Sequence, residues 1–159
     1  MRLITICGPP SSGKTAVIVH MAKVLRQKGQ SLGVVKFDCL ATGDDIIYQQ
    51  HHIPVQVGLS GSLCPDHFFG GNAEICLDWG KDQQFDLLLV ESAGLCNRCS
   101  PHIQEQYAIC VIDNLMGVDA PRKIGPMLKM ADAVVVTKGD VAVSYTHLDV
   151  YKRQALSVA

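Results

Sequence analysis

Short apolar runs separated by polar stretches recur along the chain. These runs, rich in β-branched and aromatic residues, are Arg2–Cys7, Leu32–Phe37, Ile53–Val57, Phe85–Val90, Tyr107–Ile112 and Ala133–Val136. Several of them are continuously apolar, which is typical of strands covered on both faces. After the first run, apolar residues at helical spacing predict a helix over Thr15–Lys28. The pattern therefore predicts an α/β fold with a mostly parallel sheet and helices on both faces.

The segment between the first strand and the first helix reads Gly-Pro-Pro-Ser-Ser-Gly-Lys-Thr. It matches the phosphate-binding loop G-x-x-x-x-G-K-[ST], and a strand before it and a helix after it are what that loop requires. Glycines allow backbone angles that turn successive N–H groups toward a phosphate, and the helix N-terminus adds partial positive charge. We expect Lys14 to contact the β- and γ-phosphates and the Thr15 hydroxyl to ligate Mg²⁺. The predicted phosphate-binding residues are Gly8, Ser11, Ser12, Gly13, Lys14 and Thr15.

A second motif, Thr137-Lys138-Gly139-Asp140, ends the last apolar run and matches the guanine-binding pattern [NT]-K-x-D. The Asp140 carboxylate can accept hydrogen bonds from N1–H and the 2-amino group of guanine, and the Lys138 stem can lie over the purine face. Adenine lacks both donors in that place. The pattern also describes many surface turns, but its position downstream of a phosphate-binding loop and after a buried strand favours GTP as the ligand.

Acidic residues follow two other predicted strands. Glu91-Ser92-Ala93-Gly94 comes directly after the fourth run, where Glu91 can hold Mg²⁺ through water and the Gly94 N–H can bond the terminal phosphate. Asp38 follows the second run and is a candidate for binding the metal or positioning the attacking water. Both segments also have a simpler interpretation, a strand that ends in a turn and an aspartate that caps a loop.

Two further segments combine cysteine with histidine. Cys64-Pro65-Asp66-His67 places a thiolate and an imidazole three residues apart, and Cys96, Cys99 and His102 follow within the segment after Glu91. Such spacings let one loop offer ligands to Zn²⁺, Ni²⁺ or Co²⁺. Ordinary buried thiols, a solvated histidine or a redox dithiol are the alternatives. Glu91–Gly94 has the position of a γ-phosphate-sensing switch, the second along the chain, and the segment with Cys96 and Cys99 lies inside it. Nucleotide state would therefore control the distance between the ligands.

Composition narrows the class of protein. The 159 residues, 48% apolar and 18% charged, suit a single domain with an ordinary core. A net charge of -1 gives no reason to expect binding to nucleic acid or to an anionic membrane, and we expect a cytoplasmic protein. Seven cysteines in a reducing compartment favour metal binding or burial over disulfides. Three of them lie within apolar runs and are predicted core residues: Cys7, Cys76 and Cys110.

Together these motifs resemble a known family. The segments Gly8–Thr15, Glu91–Gly94, Val111–Asp113, Pro121–Pro126 and Thr137–Asp140 occur in the order found in metallochaperone GTPases of the CobW/HypB/UreG type, which serve urease, hydrogenase and cobalamin-related enzymes. The stretch from residue 111 to residue 126 is especially similar to the urease member. The resemblance implies GTP hydrolysis and a nucleotide-dependent homodimer that delivers Ni, Co or Zn to a client metalloenzyme or its accessory proteins. No glutamine follows Gly94 to orient water, so turnover should be slow.

The resemblance also assigns metal ligands. Cys64 and His67 fall where these families keep a Cys-Pro-His or Cys-His motif, and Cys99 or Cys96 falls near a second-switch cysteine of the hydrogenase type. The chain departs from the family in the inserted Asp66 and in the paired cysteines. Two other functions stay open, a nucleotide-gated zinc or iron–sulfur scaffold and a small-molecule kinase that uses Asp38 as its base.

The last residues raise a separate point. Family members continue past the guanine motif with a further strand and helix, whereas Val143–Gln154 resembles translated sequencing-adaptor read-through. We therefore expect residues 1–140 to form a GTPase domain that lacks its last strand and helix, and residues 141–159 to be a non-native tail. The alternative is an amphipathic helix, because Tyr145, Leu148 and Tyr151 recur at helical spacing.

Overall fold

A computed structural model describes residues 1–95, 98–117 and 119–141. Within these residues the strands are β1 (Arg2–Cys7), β2 (Leu32–Asp38), β3 (Val55–Leu59), β4 (Leu87–Ser92), β5 (Tyr107–Asp113) and β6 (Ala133–Thr137). The helices are α1 (Lys14–Gln27), α2 (Asp44–Gln50), α3 (Pro65–Asp82), α4 (Ala120–Ile124) and α5 (Pro126–Lys129). The predicted tail from residue 142 onward lies outside the described residues.

The strands form one parallel sheet in the order β3-β2-β4-β1-β5-β6. This arrangement confirms the predicted α/β class. All carboxyl ends of the strands meet at one edge, where ligands of such sheets bind. The phosphate-binding loop follows β1 in the middle of the sheet, between the ends of β4 and β5. Residues that follow these strands are therefore brought together even where they lie far apart in the sequence.

Alternating residues of the strands face opposite layers of helices. Ile6 of β1 packs with α1 and α2 in one core cluster, which includes Ile18 and Tyr48. Leu3 and its neighbours on the opposite face pack against α3, and Cys7 packs against α4 and α5. The predicted core cysteines are buried in these clusters, as Cys7, Cys76 and Cys110. The helices on both faces explain why the central strands are almost continuously apolar.

Two predicted strands begin later than the apolar pattern suggested. The run Ile53–Val57 was predicted as a strand, but pairing with β2 places β3 at Val55–Leu59, because the Ile53 N–H bonds the Tyr48 carbonyl in the turn after α2. Similarly, β4 begins at Leu87 rather than Phe85, whose ring packs against Trp79 at a centroid distance of 5.3 Å. Apolar residues in these turns pack in the core but do not pair with a neighbouring strand.

Among the described residues, no helix has the length and apolar character needed to cross a membrane.

Candidate nucleotide and metal sites

The phosphate-binding loop has the backbone geometry that its glycines predict. Gly8 and Gly13 have φ angles of +140° and +93°, in the region that favours glycine. A Cβ atom on Gly8 would lie 2.0 Å from the Val111 carbonyl oxygen, so no larger residue fits there. The Lys14 ammonium donates to the carbonyls of Gly8 and Pro9 at 3.0 and 2.9 Å, and burial lowers the pKa of this lysine. The lysine is thus held over the loop by backbone acceptors.

The guanine-type motif is hydrogen-bonded to this loop across more than a hundred residues of sequence. The Thr137 hydroxyl donates to the Ser12 carbonyl at 2.6 Å, and the Lys138 ammonium donates to the Ser11 carbonyl at 2.8 Å. Lys138 also pairs with the Asp113 carboxylate at 3.0 Å. Asp140 is exposed beyond the end of β6. The two predicted nucleotide motifs therefore form one continuous surface at the carboxyl edge of the sheet.

The predicted magnesium residues line a cavity of about 530 Å³ beside the phosphate-binding loop. The Thr15 hydroxyl donates to Glu91 Oε1 at 2.8 Å, and Glu91 is only 2% exposed. Asp38 lines the same cavity, where its Oδ1 accepts the Cys39 N–H at 2.8 Å, so it is a loop cap as well as a cavity residue. A hydroxyl and two carboxylates are oxygen ligands of the kind that Mg²⁺ requires. These residues fit a magnesium ion bound with the phosphates.

Two residues of this cavity region were missed by the sequence reasoning. The Lys36 ammonium lies 2.9 Å from Asp44, 3.5 Å from Glu91 and 3.7 Å from Asp38. Burial alone would lower the pKa of Lys36, but the surrounding carboxylates, Glu91 first, raise it above its usual value. The Tyr48 hydroxyl donates to Glu91 Oε2 at 2.5 Å, and burial together with that carboxylate raises the pKa of the phenol. Lys36 could have been noticed in the sequence as a lysine inside an apolar strand. No local sequence feature marks Tyr48.

Gly94 lies directly against the phosphate-binding loop. Its φ is +72°, and a Cβ atom would lie 1.7 Å from the Gly8 carbonyl oxygen. The Gly94 N–H donates to the Ser92 hydroxyl at 3.2 Å. Gly94 therefore contacts both the phosphate-binding loop and Ser92 at the end of β4.

A cluster of sulfur and imidazole ligands lies at the start of α3. Cys64, His67 and Cys99 each offer one atom, and these three atoms lie within 4.8 Å of one another. The two Sγ atoms are 3.9 Å apart, and Cys99 Sγ lies 3.8 Å from His67 Nδ1. The start of α3 supplies two of these candidate ligands, and the predicted second switch, which follows β4, supplies the third. The two sequence segments that were predicted separately are brought to one group, which we call the thiol–imidazole cluster.

Within the described residues His102 lies apart from this cluster, although the sequence names it as a candidate ligand together with Cys96 and Cys99. It lines a different cavity with Arg2, Leu87 and Tyr107. These three are the first residues of β1, β4 and β5, so the cavity lies at the amino edge of the sheet. The reason is that the chain crosses the sheet face between Cys99 and β5, with Ile103 packed against the α3-side core. Cys96, the other predicted ligand of this segment, lies outside the described residues.

The parallel sheet, the phosphate-binding loop and its bonds to the Thr137 motif define a nucleotide-binding domain of the P-loop NTPase fold. The sequence-family model of the CobW/HypB/UreG nucleotide-binding domain matches residues 2–159, and the chain belongs to this family. An uncharacterized protein of Methanocaldococcus jannaschii is 46% identical over 158 residues, which cover 99% of this chain and 67% of that protein. The urease accessory protein UreG of Haloquadratum walsbyi is 32% identical, over 90% of this chain and 73% of its own length.

Solved structures show the same fold at lower identity. The hydrogenase maturation factor HypB from Archaeoglobus fulgidus aligns with a TM-score of 0.77 and 21% identity, over 99% of this chain and 76% of that one. HypB from Helicobacter pylori in complex with nickel aligns with a TM-score of 0.72 at 21% identity, over 99% of this chain and 72% of that one.

Proposed function

We propose that this chain is a slow GTPase that holds a transition metal at the thiol–imidazole cluster and delivers it according to nucleotide state. The observation that carries the proposal is the position of Cys99. It follows the Glu91–Gly94 segment in sequence, yet its sulfur lies against Cys64 and His67 on another element. A movement of the segment that senses the terminal phosphate would therefore change the distance between ligands of one metal ion.

Nucleotide binding rests on the residues of the carboxyl edge. The loop N–H groups and Lys14 bind the β- and γ-phosphates, and the Asp140 carboxylate selects guanine. Lys14 must exchange its two backbone acceptors for phosphate oxygens when the nucleotide binds. A magnesium ion held by Thr15, with Glu91 and Asp38 nearby, supplies charge neutralisation at the phosphates. The Thr15–Glu91 hydrogen bond shows that these two groups already converge.

Hydrolysis then follows from positioning and charge. Water attacks the γ-phosphate in line with the leaving oxygen, and negative charge spreads over the phosphoryl oxygens. Lys14 and the loop N–H groups stabilise that charge, and the Gly94 N–H changes partner from Ser92 to the phosphate. Asp38, which lines the cavity beside the phosphate-binding loop, orients the attacking water.

The thiol–imidazole cluster suits a soft or borderline cation as cargo. Two thiolates and one imidazole favour Zn²⁺, Ni²⁺ or Co²⁺ over Mg²⁺, which takes oxygen ligands. Three protein ligands leave a tetrahedral metal one open position. We propose that a second copy of the chain, a client metalloenzyme or an accessory protein supplies the fourth ligand. Exchange at that position would release the metal without unfolding the site.

The test is a titration of the purified protein with Ni²⁺, Co²⁺ and Zn²⁺ in the presence of Mg²⁺ and either a non-hydrolysable GTP analogue or GDP. The proposal expects affinities that differ between the two states and a loss of binding in Cys99→Ser. Cys39→Ser is the matched control, because Cys39 contacts Ser60 and Leu63 and lies outside the three-residue cluster. Equal affinities in both states would favour a metal scaffold in which hydrolysis is incidental.

A further inference from the structure

Asp66 is an acidic residue buried between two proposed metal ligands. It occupies the first turn of α3, follows Pro65 and precedes His67, and is 6% exposed. Its Oδ1 accepts a hydrogen bond from the Ser92 hydroxyl, while its Oδ2 has no hydrogen-bond partner among the described residues. Burial raises the pKa of the Asp66 carboxyl. A carboxylate in such a position depends on the Ser92 hydrogen bond that it accepts.

Ser92 connects this carboxylate to the nucleotide side of the sheet. It is the last residue of β4 and is 1% exposed. Its hydroxyl accepts the Gly94 N–H at 3.2 Å and donates to Asp66, so one oxygen atom joins both. Gly94 in turn lies against the Gly8 carbonyl of the phosphate-binding loop. A continuous chain of contacts therefore runs from the phosphate-binding loop to the start of α3.

We propose that Asp66 is a positioning residue that transmits nucleotide state, through the Ser92 hydroxyl, to the α3 end of the thiol–imidazole cluster. This inference rests on the function proposed above and names the link by which it is regulated. Asp66 acts through other residues, because the ligand atoms that lie within 4.8 Å of one another belong to Cys64, His67 and Cys99.

The physical step is a change of hydrogen-bond partner. A γ-phosphate that takes the Gly94 N–H removes one of the two hydrogen bonds of the Ser92 hydroxyl. The hydroxyl then loses the contact that holds it to the Gly94 segment and shifts, and the buried Asp66 carboxylate follows because losing its donor is costly. Since Asp66 shares the first turn of α3 with His67, the imidazole moves relative to Cys99. Coupling of this kind is reciprocal, so metal in the cluster must change nucleotide affinity by the same factor.

The position of Asp66 gives the coupling a local origin. In this chain Asp66 separates Pro65 from His67, and the same residue makes the contact with the end of β4. Cys64 is the residue that precedes the helix, so both α3 ligands flank Asp66 within one turn. Displacing this one side chain would move both ligands together.

The experiment measures the ratio of Zn²⁺ dissociation constants in the GTP-analogue and GDP states, for the whole chain with Mg²⁺. We expect a ratio of at least about fivefold in the wild type, in the usual range of allosteric coupling. Ser92→Ala and Asp66→Ala should each bring the ratio to within about twofold of one, and the double variant should change it no further, because both remove the same bond. Asp66→Asn keeps the Oδ1 acceptor and should retain most of the ratio.

Ser31→Ala is the matched control. The Ser31 hydroxyl also donates to an aspartate, Asp86, at 2.9 Å, but this pair lies at the opposite edge of the sheet. The ratio of dissociation constants should therefore stay at the wild-type value. If Asp66→Ala does not fold, Ser92→Ala alone decides, because it lies outside the cluster. A wild-type ratio of one overturns the proposed function itself. A wild-type ratio that persists in Ser92→Ala overturns the coupling through Asp66 and leaves the proposed function standing.

Discussion

Replacing Lys36 by methionine tests how strongly the cavity depends on its buried cation. Methionine keeps the length and apolar stem of the side chain but removes the ammonium, which lies among the carboxylates of Asp38, Asp44 and Glu91. Lys36 and Glu91 are 5% and 2% exposed at their side chains, so water cannot replace the lost charge at this pair. The variant therefore leaves a buried carboxylate without its cation.

The magnitude follows from the geometry. At 3.5 Å and an effective dielectric constant of about 20, the Lys36–Glu91 attraction is about 5 kcal/mol before the cost of burial is subtracted. Removing one partner of a buried pair costs about 3–5 kcal/mol in general. Glu91 keeps its hydrogen bonds from Thr15 and Tyr48, so we expect the lower end, about 3 kcal/mol of unfolding free energy. This corresponds to a Tm lowered by about 6–12 °C.

Urea unfolding of the nucleotide-free protein, followed by circular dichroism, measures this loss. The control is Lys81→Met, which breaks a surface ion pair with Asp78 at 2.9 Å, the same distance as between Lys36 and Asp44. This substitution should cost less than about 1 kcal/mol of unfolding free energy. If Lys36→Met is no more destabilising than Lys81→Met, the buried network around Lys36 does not stabilise the fold.

The pH dependence of the same difference gives a second check. Because the folded pKa of Lys36 is raised, its stabilising contribution is complete below the unfolded value of about 10.4 and is lost as pH rises through the folded value. The gap between wild type and Lys36→Met should therefore stay constant from about pH 6 to about pH 9 and narrow only above about pH 10.4. A gap that already closes between about pH 7 and about pH 8 would contradict the assignment to the lysine.

Three other substitutions or labels test the site. Gly94→Ala places a Cβ atom 1.7 Å from a carbonyl of the phosphate-binding loop. We expect calorimetry to show GTP-analogue binding weakened at least about tenfold. The control Gly70→Ala has open space at its Cβ and should leave this affinity unchanged. Asp140→Asn loses the acceptor for the guanine 2-amino group, so GTP affinity should fall at least about tenfold while xanthosine triphosphate affinity rises; parallel losses for both would contradict base reading by this residue. Iodoacetamide should alkylate Cys99, as detected by mass spectrometry, and Zn²⁺ should block this reaction. Cys76 should be spared, because burial raises its pKa to about 11. Equal labelling of both cysteines would argue against an accessible cluster.

Local sequence was sufficient for the parts of the protein that are contiguous. The phosphate-binding loop could be predicted because Gly8 and Gly13 fix backbone angles within eight residues, and the observed φ angles agree. The parallel sheet followed from apolar runs such as Tyr107–Ile112, since strands covered on both faces need no polar side. Burial of Cys76 followed from its place within a short apolar run. In each case the determining information lies within one element.

Only the tertiary structure decided which separate elements meet. Strand order places Lys36 of β2 beside Glu91 of β4, and the pairing register puts these two residues opposite each other. Cys99 lies at the start of α3, whereas the crossing of the chain between Cys99 and β5 carries His102 away, although spacing makes both plausible ligands. Contacts between distant residues depend on strand order, register and the path of each connection, and no local pattern encodes these.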